Sequence, residues 1–204
     1  MPSEKKLLIA TGNVGKIVEL KGLVADLRIE VVGLDSFPYV SEVPETGSTF
    51  GENARLKAIG YAEQTGLPAL ADDSGLEVSA LQGRPGVLSA RYGGNVPFTE
   101  KMQTLLSELE LTGATDRSAR FVSAIALSMP DGSVLAEAEG ICSGRLAEQP
   151  RGGGGFGYDP LFIPEGYDET FGELPSEIKA QISHRSRAFS LILPVLARFF
   201  GVLT

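Results

Sequence analysis

Leu7-Leu8-Ile9-Ala10-Thr11-Gly12-Asn13-Val14-Gly15-Lys16 sets an α/β expectation for the whole chain. The first four residues are a short apolar run that reads as a buried strand, and Ile17, Leu20 and Val24 then recur at helical spacing. A strand that turns through glycines into a helix start aims backbone N–H groups at one spot. The helix dipole favours negative charge there, and Lys16 adds a full positive charge. This is phosphate-binding geometry, although an ordinary tight strand-to-helix turn accounts for the same residues. The spacing is not Gly-x-x-x-x-Gly-Lys-Ser/Thr, because Gly12 and Lys16 are too close and Ile17 replaces the hydroxyl.

Outward from this stretch, strand and helix signals alternate. A second helix is expected from near Thr49 to Gln64, capped by Ser48 or Thr49 and closed by Gly66. Glu52 completes a capping box if Thr49 is the cap. Leu67 to Ala71 reads as a short buried strand. A third helix begins near Thr99, with Met102, Leu105, Leu106 and Leu109 on one face. Phe121–Met129 and Ser133–Cys142 read as strands joined by Pro130-Asp131-Gly132, a hairpin signal. A last helix starts near Ser183, and Pro194 inside its apolar run should kink or split it. The expectation is one α/β domain over residues 1–204 with a mixed sheet.

Composition narrows the function classes. The 204 residues are 43% hydrophobic and 22% charged, as in a globular protein. The net charge of −8 comes without a lysine or arginine cluster, which argues against a nucleic-acid surface but leaves room for a nucleotide. Cys142 is the single cysteine and cannot form an intramolecular disulfide; in an apparent strand it reads as a small core residue. No apolar stretch is long enough to span a membrane, and Met-Pro-Ser-Glu-Lys-Lys lacks the apolar core of a signal peptide. The cytoplasm is the expected location.

Four further segments carry candidate chemistry. Ala71-Asp72-Asp73-Ser74-Gly75 places two carboxylates at the expected end of a strand, where α/β proteins bind ligands. Alternation aims only one of the two into a site, where it can hold Mg2+ or take a proton from water. A solvated turn is the other reading. Glu42 and Glu45 lie in a loop rich in Ser, Pro and Gly, and Glu45 with Asp73 could form a Mg2+ pair, or the loop is plain surface. In Arg151-Gly-Gly-Gly-Gly-Phe-Gly-Tyr-Asp-Pro160, glycines allow close backbone approach and Phe156 or Tyr158 can stack on a flat ring. A flexible linker is the alternative there. Lys179, His184 and Arg185 complete the set. With Ser183 as cap, His184 and Arg185 fall in a first helical turn, where positive charge opposes the dipole unless a ligand is served. A lone histidine can equally be structural.

Six motifs in order resemble the inosine triphosphate pyrophosphatase family, the Ham1-like non-canonical purine nucleoside triphosphatases. They are Thr11-Gly12-Asn13-x-Gly15-Lys16, Glu45-Thr46-Gly47, Ala71-Asp72-Asp73-Ser74-Gly75, Ser89-Ala90-Arg91-Tyr92, Gly155-Phe156-Gly157-Tyr158-Asp159-Pro160 and Ser183-His184-Arg185. The resemblance covers nearly the whole chain. It implies an α/β fold with a long central mixed sheet and two lobes flanking a nucleotide cleft, in a cytosolic homodimer. It also implies Mg2+-dependent hydrolysis of ITP, dITP and XTP to the monophosphate and pyrophosphate, which keeps deaminated purines out of DNA and RNA. By that resemblance Thr11, Gly12, Asn13, Val14, Gly15, Lys16 and Lys179 hold the triphosphate. Glu45 and Asp73 ligate Mg2+, Asp73 is the general base, and Ser74 touches substrate. Phe156, Gly157, Tyr158, Asp159, His184 and Arg185 surround the base and sugar.

Two features depart from the family's pattern. The glycine run Gly152–Gly155 is longer than usual, which bears on the loop's rigidity, and Pro194 leaves the last helix's length open. Other readings are a Maf-like pyrophosphatase for dTTP or UTP, a non-catalytic nucleotide sensor, and a phosphotransferase. The Phe-Gly-Tyr-Asp-Pro and Ser-His-Arg segments argue against the first, and a sensor has no need of both Glu45 and Asp73. No second acceptor site for a phosphotransferase is visible in the sequence.

Overall fold

The computed structural model describes residues 5–202, so the signal-peptide reading of the first six residues falls mostly outside the described residues. The chain runs β1 (Lys6–Ile9), α1 (Val14–Val24), β2 (Glu30–Gly33), α2 (Phe50–Thr65), β3 (Ala69–Val78) and α3 (Phe98–Leu111). It continues through β4 (Ser118–Ser128), β5 (Val134–Leu146), β6 (Phe162–Pro164), α4 (Ser176–Ile182) and α5 (His184–Phe200). The hydrogen-bonded strand order is β2-β1-β3-β4-β5-β6. β1 pairs in parallel with β2 and β3, whereas β5 and β6 are antiparallel, so the sheet is mixed as expected.

Two compact units share these strands. The first runs to Asp73, takes in Ser123–Gly140 and resumes at Arg185; the second comprises Ser74–Val122 and Ile141–His184. The first unit's core gathers Leu7 and Ile9 of β1, Leu20 and Val24 of α1, Leu70 of β3, and Phe189, Ile192, Leu196 and Phe200 of α5. The second unit's core is built on α3, whose Met102, Leu105, Leu106 and Leu109 pack with Phe121, Phe162 and Phe171. Each such buried side chain contributes about 1.5–3 kcal/mol.

Local chemistry explains most boundaries. Thr49 caps α2 in a full capping box with Glu52, and left-handed Gly66 ends the helix. In the β4–β5 hairpin the Met129 N–H donates to the Ser133 carbonyl at 2.8 Å, and Gly132 takes φ +82°, which favours glycine. Two expectations need correction. β3 does not stop at Ala71: it runs on through Asp72-Asp73-Ser74-Gly75 to Val78, so the carboxylates lie within the strand and the solvated-turn reading falls. Each aspartate finds buried partners on its own side, so neither disrupts the strand. Pro194 does not split α5: it is exposed, it removes one backbone donor, and Ile192 and Leu196 on either side stay buried in the apolar stripe. The short α4 before α5 was not anticipated; no side chain caps its start.

Candidate active site

The stripe that α2 buries contains Phe50, Asn53, Ala54, Lys57, Ala58, Tyr61 and Ala62. Asn53 and Lys57, one turn apart, are its polar members, and both reach Asp73 of β3. The Lys57 ammonium donates to Asp73 Oδ1 at 2.9 Å and to Glu45 Oε1 at 2.7 Å. Asn53 Nδ2 donates to Asp73 Oδ2 at 3.3 Å, and its Oδ1 accepts from the Gly47 N–H at 2.8 Å. The loop bearing Glu45 is thus pinned onto α2, with further bonds from the Val43 N–H to Tyr61 and the Ser41 N–H to Gln64. Glu45 and Asp73 converge on one ammonium, while Glu42 is exposed. Burial pushes the Asp73 carboxyl up and the neighbouring Glu45 charge adds to this; Lys57 and Lys16 oppose it without cancelling it.

Asp72, fully buried, serves a different cluster. Its Oδ2 pairs with the Lys16 ammonium at 2.7 Å and with Arg185 at 3.3 Å, and its Oδ1 accepts from the Ser123 hydroxyl. Arg185 also pairs with Glu19 of α1. Burial opposes charge on Asp72, but Arg185 and Lys16 outweigh it and hold the carboxyl well below its usual range. Burial, together with the Lys57 and Arg185 charges, lowers the Lys16 ammonium despite Asp72. The carbonyl of Asp72 accepts from Lys57 at 2.9 Å and from Lys16 at 3.3 Å, so both lysines meet at this one residue. In these ion pairs three cations, Lys16, Lys57 and Arg185, face four carboxylates, Glu19, Glu45, Asp72 and Asp73.

The turn from β1 into α1 is set by side chains rather than by glycine strain. The Asn13 N–H donates to Thr11 Oγ1, and Asn13 Oδ1 caps α1 by accepting from the Lys16 N–H, each at 3.2 Å. Val14 and Gly15 open the helix. Gly12 has no left-handed φ, and a Cβ added there meets no atom within 4 Å. The chain itself therefore does not demand glycine at position 12; its effect is to leave the approach to the α1 amides open.

In the second unit, Asp159 Oδ2 accepts from the Lys179 ammonium at 2.5 Å and from the Phe156 N–H at 2.7 Å. The same ammonium lies 4.6 Å from the Phe156 ring centre. The structure thus joins Lys179 to Asp159 and Phe156. Tyr158 is buried edge-on against Phe98, at 5.3 Å between ring centres, so Phe156 is the partly exposed ring of the two. Gly157 takes φ +66°, and Ser74 lies half-buried on β3. His184 stacks on Phe121 at 4.7 Å, with ring planes 13° apart. Positive charge in the first turn of α5 is answered in the chain itself: the buried Arg185 is neutralised by Asp72 and Glu19. The glycine run is held to the Gly172 segment, with the Gly154 N–H donating to the Gly172 carbonyl at 2.9 Å and the Arg151 N–H to the Pro160 carbonyl at 2.7 Å. That bonding excludes the flexible-linker reading.

Sequence reasoning missed Lys57, Asn53, Glu19 and Ser123. For Lys57 and Asn53 a signal existed: both interrupt the buried stripe of α2 at i and i+4, where a polar residue needs a partner.

The Ham1 family model matches residues 7–195. The dITP/XTP pyrophosphatase of Streptomyces coelicolor is 45% identical over 199 residues, covering 96% of this chain and 99% of the relative. The protein of the same name from Deinococcus radiodurans is 49% identical over 189 residues, 93% and 92% of the two chains. The solved structure of a HAM1 protein from Coxiella burnetii superposes with a TM-score of 0.86 at 42% identity, covering 95% of this chain and 98% of that one. With motif order, fold and relatives in agreement over almost its full length, the chain belongs to the Ham1 family.

Proposed function

We propose that this chain is a nucleoside triphosphate pyrophosphatase that converts ITP, dITP and XTP to the monophosphate and pyrophosphate. The observation that carries the reading is the division of roles between adjacent carboxylates. Asp72 Oδ2 is held by Lys16 and Arg185, while Asp73 lies beside Lys57 and Glu45 with its carboxyl raised by burial. The curated relatives named dITP/XTP pyrophosphatase support the substrate class.

The donor set fits Mg2+. Glu45 and Asp73 already converge on a cation, and two carboxylates completed by phosphate oxygens and water are a usual Mg2+ arrangement. When bound there, Mg2+ would neutralise phosphate charge and polarise the α-phosphate. A carboxylate majority does not favour a polyanion, and a divalent cation reverses the sign of the cluster. Asp73 takes the proton from a water whose oxygen bonds to the α-phosphorus as the bond to the bridging oxygen breaks and pyrophosphate leaves. Thr11 to Lys16 hold the triphosphate through the α1 amides and the Lys16 ammonium, which stabilise charge on the leaving group. Ser74 touches the substrate. Phe156 to Asp159, His184 and Arg185 take the base and sugar, and Lys179, bonded to Asp159 at the edge of that loop, holds the triphosphate together with Thr11 to Lys16.

Discrimination follows from hydrogen-bond polarity. Inosine and xanthine present a keto oxygen where adenine presents an amino donor, so a donor-lined site rejects ATP by leaving buried donors unmatched. Incubation with Mg2+ and a panel of nucleoside triphosphates, with products separated by chromatography, tests this. The expected result is pyrophosphate, with ITP and XTP far above ATP and GTP between. Orthophosphate as product, or equal kcat/KM for ATP and ITP, overturns it. Chelator should abolish turnover and added Mg2+ restore it.

The proposal extends to the whole chain as one functional domain, working as a cytoplasmic homodimer without nucleic-acid or membrane partners. No helix among the described residues is long and apolar enough to cross a membrane. Light scattering on the purified protein decides the oligomeric state.

A further inference from the structure

Ser89-Ala90-Arg91-Tyr92 has so far been given no role, and the bonds of Ser89 supply one. Ser89 is buried in the second unit, just after the short turn Gly86–Leu88. Its hydroxyl accepts from the Leu76 N–H at 2.9 Å and donates to the Gly86 carbonyl at 2.7 Å. Its own carbonyl accepts from the Tyr158 hydroxyl at 3.1 Å, again in a buried setting. Leu76 is two residues beyond Ser74 on β3, and Tyr158 is the centre of the Phe156–Asp159 loop. One serine therefore ties together two segments assigned to substrate, through its side chain on one side and its backbone on the other.

The surroundings leave little slack in this tether. Tyr158 is buried against Phe98, and a Cβ added at Gly157 would lie 3.6 Å from that same ring. The loop after Ser89 is fixed as well: the Lys101 ammonium of α3 donates to the Tyr92 carbonyl at 2.9 Å and also to the Gly94 carbonyl, while the Tyr92 hydroxyl donates to Glu108 at 2.6 Å. Ser89 is thus one anchor of the Phe156–Asp159 loop, through Tyr158, beside the bonds of Asp159 to Phe156 and Lys179.

We propose that Ser89 is a positioning residue for purine selection. It fixes the Phe156–Asp159 loop relative to Ser74 on β3 through the bonds to Tyr158 and Leu76. The inference rests on the pyrophosphatase reading above. Ser89 touches none of Lys16, Asp72, Asp73, Lys57 or Glu45 in the bonds described, so its loss should act on recognition of the base rather than on the phosphate chemistry.

Four variants test it: Ser89→Ala, Ser89→Thr, Tyr158→Phe and the double Ser89→Ala/Tyr158→Phe. Each is assayed with ITP and ATP in Mg2+, and each is followed by hydrogen exchange of the loop amides. Ser89→Ala should raise KM for ITP by about tenfold, the size of one lost buried hydrogen bond. It should shrink the ITP-to-ATP ratio in kcat/KM and leave kcat for ITP nearly unchanged. Ser89→Thr, which keeps the hydroxyl, should restore both values. Tyr158→Phe should shift KM and the ratio in the same direction, and the double variant should add little to Ser89→Ala. Exchange at residues 156–159 should quicken in Ser89→Ala and Tyr158→Phe.

A fall in melting temperature with unchanged KM, ratio and loop exchange overturns the inference, as does a loss confined to kcat. Independent, multiplying effects of the two single changes also overturn it. If Ser89→Ala does not fold, a folded Tyr158→Phe with wild-type KM, ratio and exchange is sufficient to reject it. If the unmodified protein does not hydrolyse ITP, the functional reading has failed. The exchange experiment still decides whether the tether exists.

Discussion

Asp72 and Asp73 differ by one position and by what a substitution should do. Asp73→Asn keeps the shape but removes the proton acceptor, so kcat for ITP should fall at least ~100-fold while the melting temperature changes little. Asp72→Asn leaves Lys16 without its buried counter-charge and Arg185 with Glu19 in place of two carboxylates; breaking such a pair costs roughly 3–5 kcal/mol, visible in denaturant titration. If Asp72→Asn stays stable but inactive while Asp73→Asn turns over, the two roles are reversed. Lys57→Met should also destabilise the protein, since Glu45 and Asp73 then face each other without the ammonium. Urea unfolding of this variant beside the wild type checks it. Asp73, Glu45 and Lys16 stand out in the sequence by their place at a strand end, in a loop before a helix and at a helix start, and the structure brings Glu45 and Asp73 onto one ammonium. The partner of each was not legible: Arg185 reaches Asp72 across 113 positions, and only folding brings such residues together.

Among the elements, α2 was read almost to the residue, since Thr49, Glu52 and Gly66 are local signals that act within one turn. The capping box gives a prediction with a definite sign. Hydrogen bonds from Ser48, its hydroxyl foremost, hold the exposed Glu52 carboxyl below its usual value of 4.5. A lowered folded-state value means the contribution is complete above 4.5 and is lost as pH falls through the folded value. Thermal melts of wild type and Glu52→Gln should therefore differ near neutral pH and converge in acid; a gap constant with pH would contradict this. The elements that were misread depended on distant partners. β3 outran its apolar stretch because its aspartates are answered by α1, α2 and α5. The short α4 offered no cap to read, and α5 continues past Pro194, with its neighbours Ile192 and Leu196 packed in the first unit's core.

For the whole molecule, strands β3, β4 and β5 each contribute residues to both compact units. Melting either unit frays strands that the other needs, so a single cooperative transition is expected. Far-ultraviolet circular dichroism and tyrosine fluorescence should give the same midpoint; two separated midpoints would refute it. The chain's fourth passage from one unit to the other, between His184 and Arg185, has a consequence for synthesis. A ribosome delivers residues in order, and Asp72 emerges more than a hundred residues ahead of the guanidinium that neutralises it. Until the last helix clears the exit tunnel, the nascent protein carries a carboxylate on a strand that cannot yet bury it favourably. The charged cluster can close only after residue 185 has been made and has left the tunnel, so a message interrupted before that codon would yield a product lacking the second cation of Asp72 and open to proteolysis.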